Sequence, residues 1–397
     1  MSFGVFQQYY TTSVTSPFLA TPPGSIATVG TTLNGMMYLM MPGTFTLLTR
    51  YPKFRSFSGP AGLAITASSL VLSAFATKAW QLVLSQGVLC AIGSGLLFSP
   101  TTLYLDEWFV QRRGMAYGTL WAGKSAAGVV FPFLMSSLLE HFGARTTLLS
   151  WAVALIIFTT PLLFFLKPRI PLSDRSGGVG TRRPLSWGFL KHSTFWMLEV
   201  GNVIQSFGYL LPTTYLSSYA HGIGLSPIIG TTLIALFSLA SIPGALILGY
   251  LNDRITPTTT ILISSLGSAL STFLFWGLAG SGTSGLGLLV GFVLAYGFFA
   301  GGFSSTYPGV FREVKQGERG SAVEVDPGLV MGLLLGGRGL GFVVGGPVSA
   351  GLLRNTGAFT GKLGYNNEYG PVIVATGVTA FLGGWGWMWK MMKAVMT

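Results

Sequence analysis

The chain has 397 residues, half of them hydrophobic and only 9% charged, with a formal net charge of +12. Ordinary soluble domains carry roughly 25% charged residues, so this composition excludes a soluble fold and selects an all-α integral membrane protein. The 56 glycines, about twice ordinary usage, suit helices that pack closely in lipid.

The chain opens without the basic n-region and continuous apolar run of a signal peptide. Stretches able to span a bilayer, ~20 mostly apolar residues each, then recur. They lie at 26–48, 59–76, 80–105, 114–139, 146–166, 194–217, 227–250, 256–278, 285–308, 328–352 and 370–389. Residues 255–311 carry no charge, and "GSGTSG" at 280–285 divides that stretch into two spans. Single Cys90 and three scattered histidines (His141, His192, His221) give no basis for a disulfide, a metal site or a cofactor.

Lys and Arg orient the spans. The segments 49–58, 106–113, 167–193, 251–257, 309–327 and the tail after 389 hold 17 basic residues. The opposite side holds only Lys78, Arg145, Arg354 and Lys362. The rule that basic loops stay inside places the first set in the cytoplasm. The positive charge is therefore a matter of topology, and a nucleic-acid partner is not expected. The loop 167–193, rich in Gly, Pro, Ser and Arg, reads as a flexible linker between an N-terminal bundle (1–166) and a C-terminal bundle (194–397).

Short matches relate the halves. "SFG" starts at Ser2 and again at Ser206, and Pro42-Gly43 is matched by Pro243-Gly244. "MAYGTLWAGKSAAGVV" from Met115 aligns with "LVMGLLLGGRGLGFVV" from Leu329, setting Gly118, Gly123 and Lys124 against Gly332, Gly337 and Arg338. Two parallel repeats are a common transporter plan. The second "SFG" is preceded by about twelve residues of its own span, the first only by Met1. Residues 1–10 would cover ~15 Å as helix, half of a ~30 Å hydrocarbon core. The expectation is twelve helices with the first shortened and eleven complete, from an incomplete gene model or a natural truncation.

The stretch "GTLWAGKS", 118–125, fits G-x-x-x-x-G-K-[ST]. A phosphate-binding loop follows a strand and offers free backbone N–H groups. This stretch instead lies inside a span, and its repeat partner replaces Ser125 with Gly339. Nucleotide binding is not expected. Two cations within spans remain, Lys124 and Arg338. A charge near the bilayer centre costs about 2.5–3.5 kcal/mol on insertion scales and faces a cavity or a partner. The functional reading is one cation per half, facing an anionic substrate across a central cavity. The structural reading is bonding to carbonyls or polar neighbours between helices.

Other polar residues share helical faces. Glu199, Asn202, Ser206 and Tyr209 form one stripe, flanked by Gln205, and Asn34 and Tyr38 share another face. They either line a cavity or join helices. Glu199 is the sole carboxylate inside a span, about a turn and a half from its end and so either interfacial or buried, and proton coupling has few candidate groups.

"EWFVQRRGMAYGTLWAGKSAAG" resembles the signature of the monocarboxylate-porter branch of the major facilitator superfamily. Phe109, Arg112, Arg113, Ala116, Gly118, Ala122 and Gly123 fill it. "SFGVFQQYY" and "DPGLVMGLLLGGRGLG" are similar to fungal members. The resemblance implies two six-helix bundles, alternating access, and a monocarboxylate or other small metabolite as substrate. Fungal relatives also include metabolite exporters. The family's acidic-Gly-Gly-aromatic block is missing, and Lys124 replaces a usually small residue. The superfamily's G-x-x-x-D-R loop motif is kept as Gly249, Asp253 and Arg254, while Pro52-Lys53 stand at the eroded first-half copy. Such loops latch one conformation through charge pairs, so Asp253, Arg254, Arg112 and Arg113 are candidate gate residues. Lys124, Arg338, Asn34, Tyr38, Asn202, Gln205 and Tyr209 are candidate substrate contacts. The expected protein is a secondary transporter in the plasma membrane, with an efflux pump, a non-transporting remnant and an ATP-driven pump as rivals.

Overall fold

The computed structural model describes residues 3–13, 16–19, 23–169, 185, 187–280, 283–317, 326–354, 365 and 367–396. Among them every long regular element is helical. The helices are α1 (Phe3–Thr12), α2 (Pro23–Leu39), α3 (Met41–Arg50), α4 (Arg55–Ala74), α5 (Ala79–Trp108), α6 (Arg113–Phe165), α7 (Ser193–Tyr209) and α8 (Leu211–Gly222). They continue as α9 (Pro227–Arg254), α10 (Pro257–Trp276), α11 (Thr283–Gly301), α12 (Tyr307–Gly317), α13 (Pro327–Arg354), α14 (Gly370–Leu382) and α15 (Trp385–Met396).

Eight helices among the described residues are long and apolar enough to cross a membrane, against eleven expected spans. The difference has local causes. The spans 114–139 and 146–166 run together as α6, bent at Gly143, whose φ of 74° only glycine adopts readily. The spans 26–48 and 194–217 are each broken, at Met40 and at Leu210. Pro42 and Pro212 stand at the start of the segments that follow. Proline removes a donor and clashes with the preceding turn, so it starts a helix rather than continuing one. Most of the expected linker, 170–184 and 186, lies outside the described residues, as do 355–364 with Lys362.

The contacts divide the chain into two compact units. One comprises Met1–Gln111, Leu134–Gly188 and Ala322–Leu340; the other comprises Arg112–Phe133, Phe189–Ser321 and Gly341–Thr397. These are not the two sequence halves, because α6 and α13 each contribute to both units.

In the first unit Phe6, Tyr10, Phe18, Ile26 and Val29 form a core with Leu70, Leu82, Met135, Leu139, Leu148 and Ala152. The helices α4 and α5 touch backbone to backbone. A Cβ on Gly62 would lie 2.6 Å from the Leu97 nitrogen and 2.7 Å from the Gly93 oxygen. The α13 glycines form a ladder along α2 and α3. Gly328 lies against Thr49, Gly332 against Phe45, Gly336 against Pro42 and Gly339 against the Tyr38–Leu39 backbone. Spacings of four, four and three residues put them on one helical face, and the missing side chains let that face lie flush.

In the second unit the rest of α13 changes partner. Gly341 and Gly345 pack on Val203 and Phe207 of α7. Gly297 of α11 meets the Phe237 carbonyl of α9, and Ser241 donates to the Gly297 carbonyl at 3.0 Å. The first turns of α6 lie on α9, Gly114 against Gly249 and Gly118 against the Ala245 carbonyl. The sequence repeat is thus also a repeat of contacts. Gly118 meets Ala245, and Gly332 meets the Met41 carbonyl at 3.3 Å from its built Cβ. Gly332 is the repeat partner of Gly118, and Ala245 lies three positions after Ile242, which the Pro42–Pro243 match sets against Met41.

Candidate functional site

The stretch 118–125 is helical throughout. Its N–H groups lie within the helical hydrogen-bond ladder of α6, so they are not displayed toward a phosphate as a binding loop requires. Lys124 is exposed, and its Nζ sits 5.0 Å from the centre of the Trp121 ring, itself buried. The two are one turn apart, the spacing that lets side chains on a helix meet. A cation over an indole face gains about 0.5–2 kcal/mol. Beside Lys124, Gly123 borders open space.

Arg338 is 3% exposed, deep in the first unit. Its neighbour Gly339 presses on the Tyr38–Leu39 backbone. Tyr38 is 2% exposed. Asn34, on the same helix, donates to the Gly30 carbonyl at 3.0 Å. Arg338 and Tyr38 are therefore brought together, as two of the expected contacts, by the glycine ladder of α13.

The polar stripe of α7 is shared among several helices of the second unit. Asn202 donates to Glu199 Oε2 at 3.4 Å and accepts from the Tyr307 hydroxyl of α12 at 2.8 Å. Gln205 lies against Gly383 between α14 and α15, and Ser206 against Gly341. Tyr209 stacks on Phe342 of α13, ring centres 6.1 Å apart. Tyr307 was not singled out from sequence, because its partner is 105 positions away.

The candidate gate residues gather at the ends expected in the cytoplasm. Asp253 does not reach a cation here. Its carboxylate accepts the backbone N–H of Gly114 at 2.8 Å and of Met115 at 2.9 Å. An acid at a helix N-terminus satisfies orphan donors and the helix dipole together. At the corresponding end of α13 the donor of Gly328 is taken by Asp326, just before that helix, at 2.8 Å. The loop Asp missing from the first half thus has a substitute from the chain next to the helix it would cap. Arg112 adopts a φ of 56°, the one left-handed non-glycine among the described residues, and so turns the chain into α6. Arg113 lies over Phe311 at 5.4 Å and Arg254 over Tyr250 at 5.2 Å.

Two further charged clusters escaped the sequence reading. Buried Arg55 binds Glu107 at 2.7 Å and the Leu48 carbonyl at 2.9 Å, joining α3, α4 and α5. In the second unit Lys390 pairs with Glu313, which also accepts from Thr258 at 3.0 Å. Sequence marked Arg55 only as one more cytoplasmic base, because nothing local identifies a partner 52 positions on.

A family model described as Major Facilitator Superfamily matches residues 1–325. The chain belongs to that superfamily. It is 26% identical over 357 residues to the MFS-type transporter pynF of Aspergillus niger, covering 89% of this chain and 77% of that one. It is 27% identical to the aspyridones efflux protein apdF of Emericella nidulans, covering 90% of this chain and 69% of that protein. Among solved structures, the human organic anion transporter MFSD10 (TETRAN) superposes with a TM-score of 0.65. The match covers 96% of this chain and 89% of that one at 16% identity, a likeness of fold. This transporter is therefore a multi-pass membrane protein that acts on small molecules, as its superfamily does.

Proposed function

We propose that this transporter moves a small anionic organic metabolite across the plasma membrane by alternating access of two six-helix bundles, without nucleotide hydrolysis. The observation that carries the reading is the pair of cations inside spans, Lys124 and Arg338. Each stands where a charge costs several kcal/mol, and such a cost is sustained where a ligand or function requires the charge. Lys124 is exposed and Gly123 beside it borders open space, which suits a group that meets solute. Asn34 and Tyr38 in the first unit, and Asn202, Gln205 and Tyr209 in the second, are the further polar and aromatic contacts of this reading. Export is the favoured direction, because relatives include a fungal metabolite efflux protein. A monocarboxylate porter is the neighbouring reading, supported by the signature at Phe109–Gly123.

The test is transport by the purified protein in liposomes, with a panel of organic acids at two pH values and no ATP. Lys124→Ala and Arg338→Ala are expected to abolish uptake of acids while membrane insertion persists. Wild-type rates in both variants would sink the anion reading. Transport that requires ATP would overturn the secondary mechanism, and absence of transport for every solute would favour a remnant.

A further inference from the structure

Just after its first turn α5 widens into a π-turn, Val83–Leu89. Such turns cost regular hydrogen bonding and recur at functional sites. Three consecutive side chains show how it points. Ser85 accepts from Ser73 of α4 at 2.9 Å, so it faces α4. A Cβ on Gly87 would lie 3.3 Å from Thr32, so that position faces α2. Gln86 stands between these two positions in the turn. It is 6% exposed, and its Oε1 is buried without a hydrogen-bond partner among the described residues. A buried unpaired amide oxygen costs about 1–3 kcal/mol, and an apolar residue of the same size would avoid that cost.

The same unit holds Arg338, whose neighbour Gly339 presses on the Tyr38–Leu39 backbone of α2. Gly87 packs beside Thr32, and Thr32 and Tyr38 are six residues apart on α2, ~9 Å along the helix. We infer that Gln86 is a substrate-recognition residue, its π-turn holding the amide oxygen toward the solute path that Arg338 serves. The solute would be an elongated organic acid. Its anionic group would lie toward Arg338, and a hydroxyl or N–H donor farther along the molecule would meet Gln86. This inference rests on the transport reading above and names its substrate class.

Two measurements test it, and neither needs the natural solute. Cys90 is the sole cysteine, so Gln86→Cys is made in a Cys90→Ser background. It is treated in membrane vesicles with methanethiosulfonate reagents of similar size, one anionic and one cationic. Ala91→Cys, fully buried on the same helix, is the packed control. The expected result is labelling of Gln86→Cys and not of the control, at least threefold faster with the anionic reagent. Adding Arg338→Gln should bring the two rates together. No labelling, labelling equal to the control, or a charge preference indifferent to Arg338→Gln would each overturn the inference.

The second measurement is thermal unfolding of purified Gln86→Leu. Removing an unpaired buried amide should raise Tm by about 2 °C. A lowered Tm would mean the amide holds the fold together, and the inference fails. A failed transport screen leaves both measurements interpretable, and their failure leaves the transport reading standing.

Discussion

The contact between Asp253 and the start of α6 gives the sharpest quantitative expectation. One carboxylate accepts two backbone N–H groups, at 2.8 and 2.9 Å. Hydrogen bonds to a charged group contribute about 1.5–3 kcal/mol each, and the helix dipole adds to the attraction. Met115 is exposed, so its bond is screened by solvent and counts at the low end or below. About 2 kcal/mol for Asp253→Ala is a conservative total, or roughly 30-fold in a local opening equilibrium. Asp253→Asn keeps one acceptor oxygen and loses the charge, so about 1 kcal/mol and roughly fivefold follow. Hydrogen exchange of the peptide covering residues 112–120, in nanodiscs, reads this directly. The expected order of exchange is Asp253→Ala fastest, then Asp253→Asn, then wild type. Unchanged exchange in Asp253→Ala would refute the capping argument, because no other described group takes those two donors.

Arg55→Met leaves Glu107 partly buried without its partner and should cost about 2–3 kcal/mol, less than a fully buried pair. Arg55→Met with Glu107→Leu should recover most of the loss in Tm, and a double variant no better than the single would contradict this. Gly62→Leu places a side chain into the Gly93 and Leu97 backbone and should cost about 3 kcal/mol or more. Its yield of folded protein on gel filtration should collapse, and wild-type yield would refute the close crossing. Arg112→Gly relieves a left-handed φ and should stabilise by about 1 kcal/mol, read as a Tm rise of about 2 °C.

Much of the scaffold could be read from the chain alone, because lipid enforces a simple local rule. Helices must be apolar, near a fixed length and satisfied internally. That rule located most of the spans and separated α10 from α11. It also exposed "GTLWAGKS" as helix despite its phosphate-loop spelling. It failed at Met40 and Leu210, where the hydropathy runs on while the helix breaks ahead of Pro42 and Pro212. It did mark the break between 139 and 146, where Gly143 leaves helical geometry.

The site residues were legible as residue types but not as partners. A cation inside an apolar run is unusual wherever it points, so Lys124 and Arg338 stood out. That Lys124 lies over Trp121 follows from helical spacing once the helix is granted. That Arg338 meets Tyr38, or that Asp253 holds an N-terminus 138 positions earlier, does not. The α7 stripe was read as a single face, yet its members and flanking Gln205 touch α12, α13 and the turn between α14 and α15. A helix buried on several sides has no single inward direction for periodicity to report.

Sequence by itself determined that this chain lives in a membrane and which apolar stretches form most of its long helices. Those properties are set by each segment's own exchange between water and lipid and by its backbone hydrogen bonds. The tertiary structure decided which glycine meets which backbone, why α6 and α13 belong to two units each, and which polar atoms are left without a protein partner. Those outcomes depend on close packing between segments far apart in the chain, and no local pattern encodes the identity of the surface on the other side.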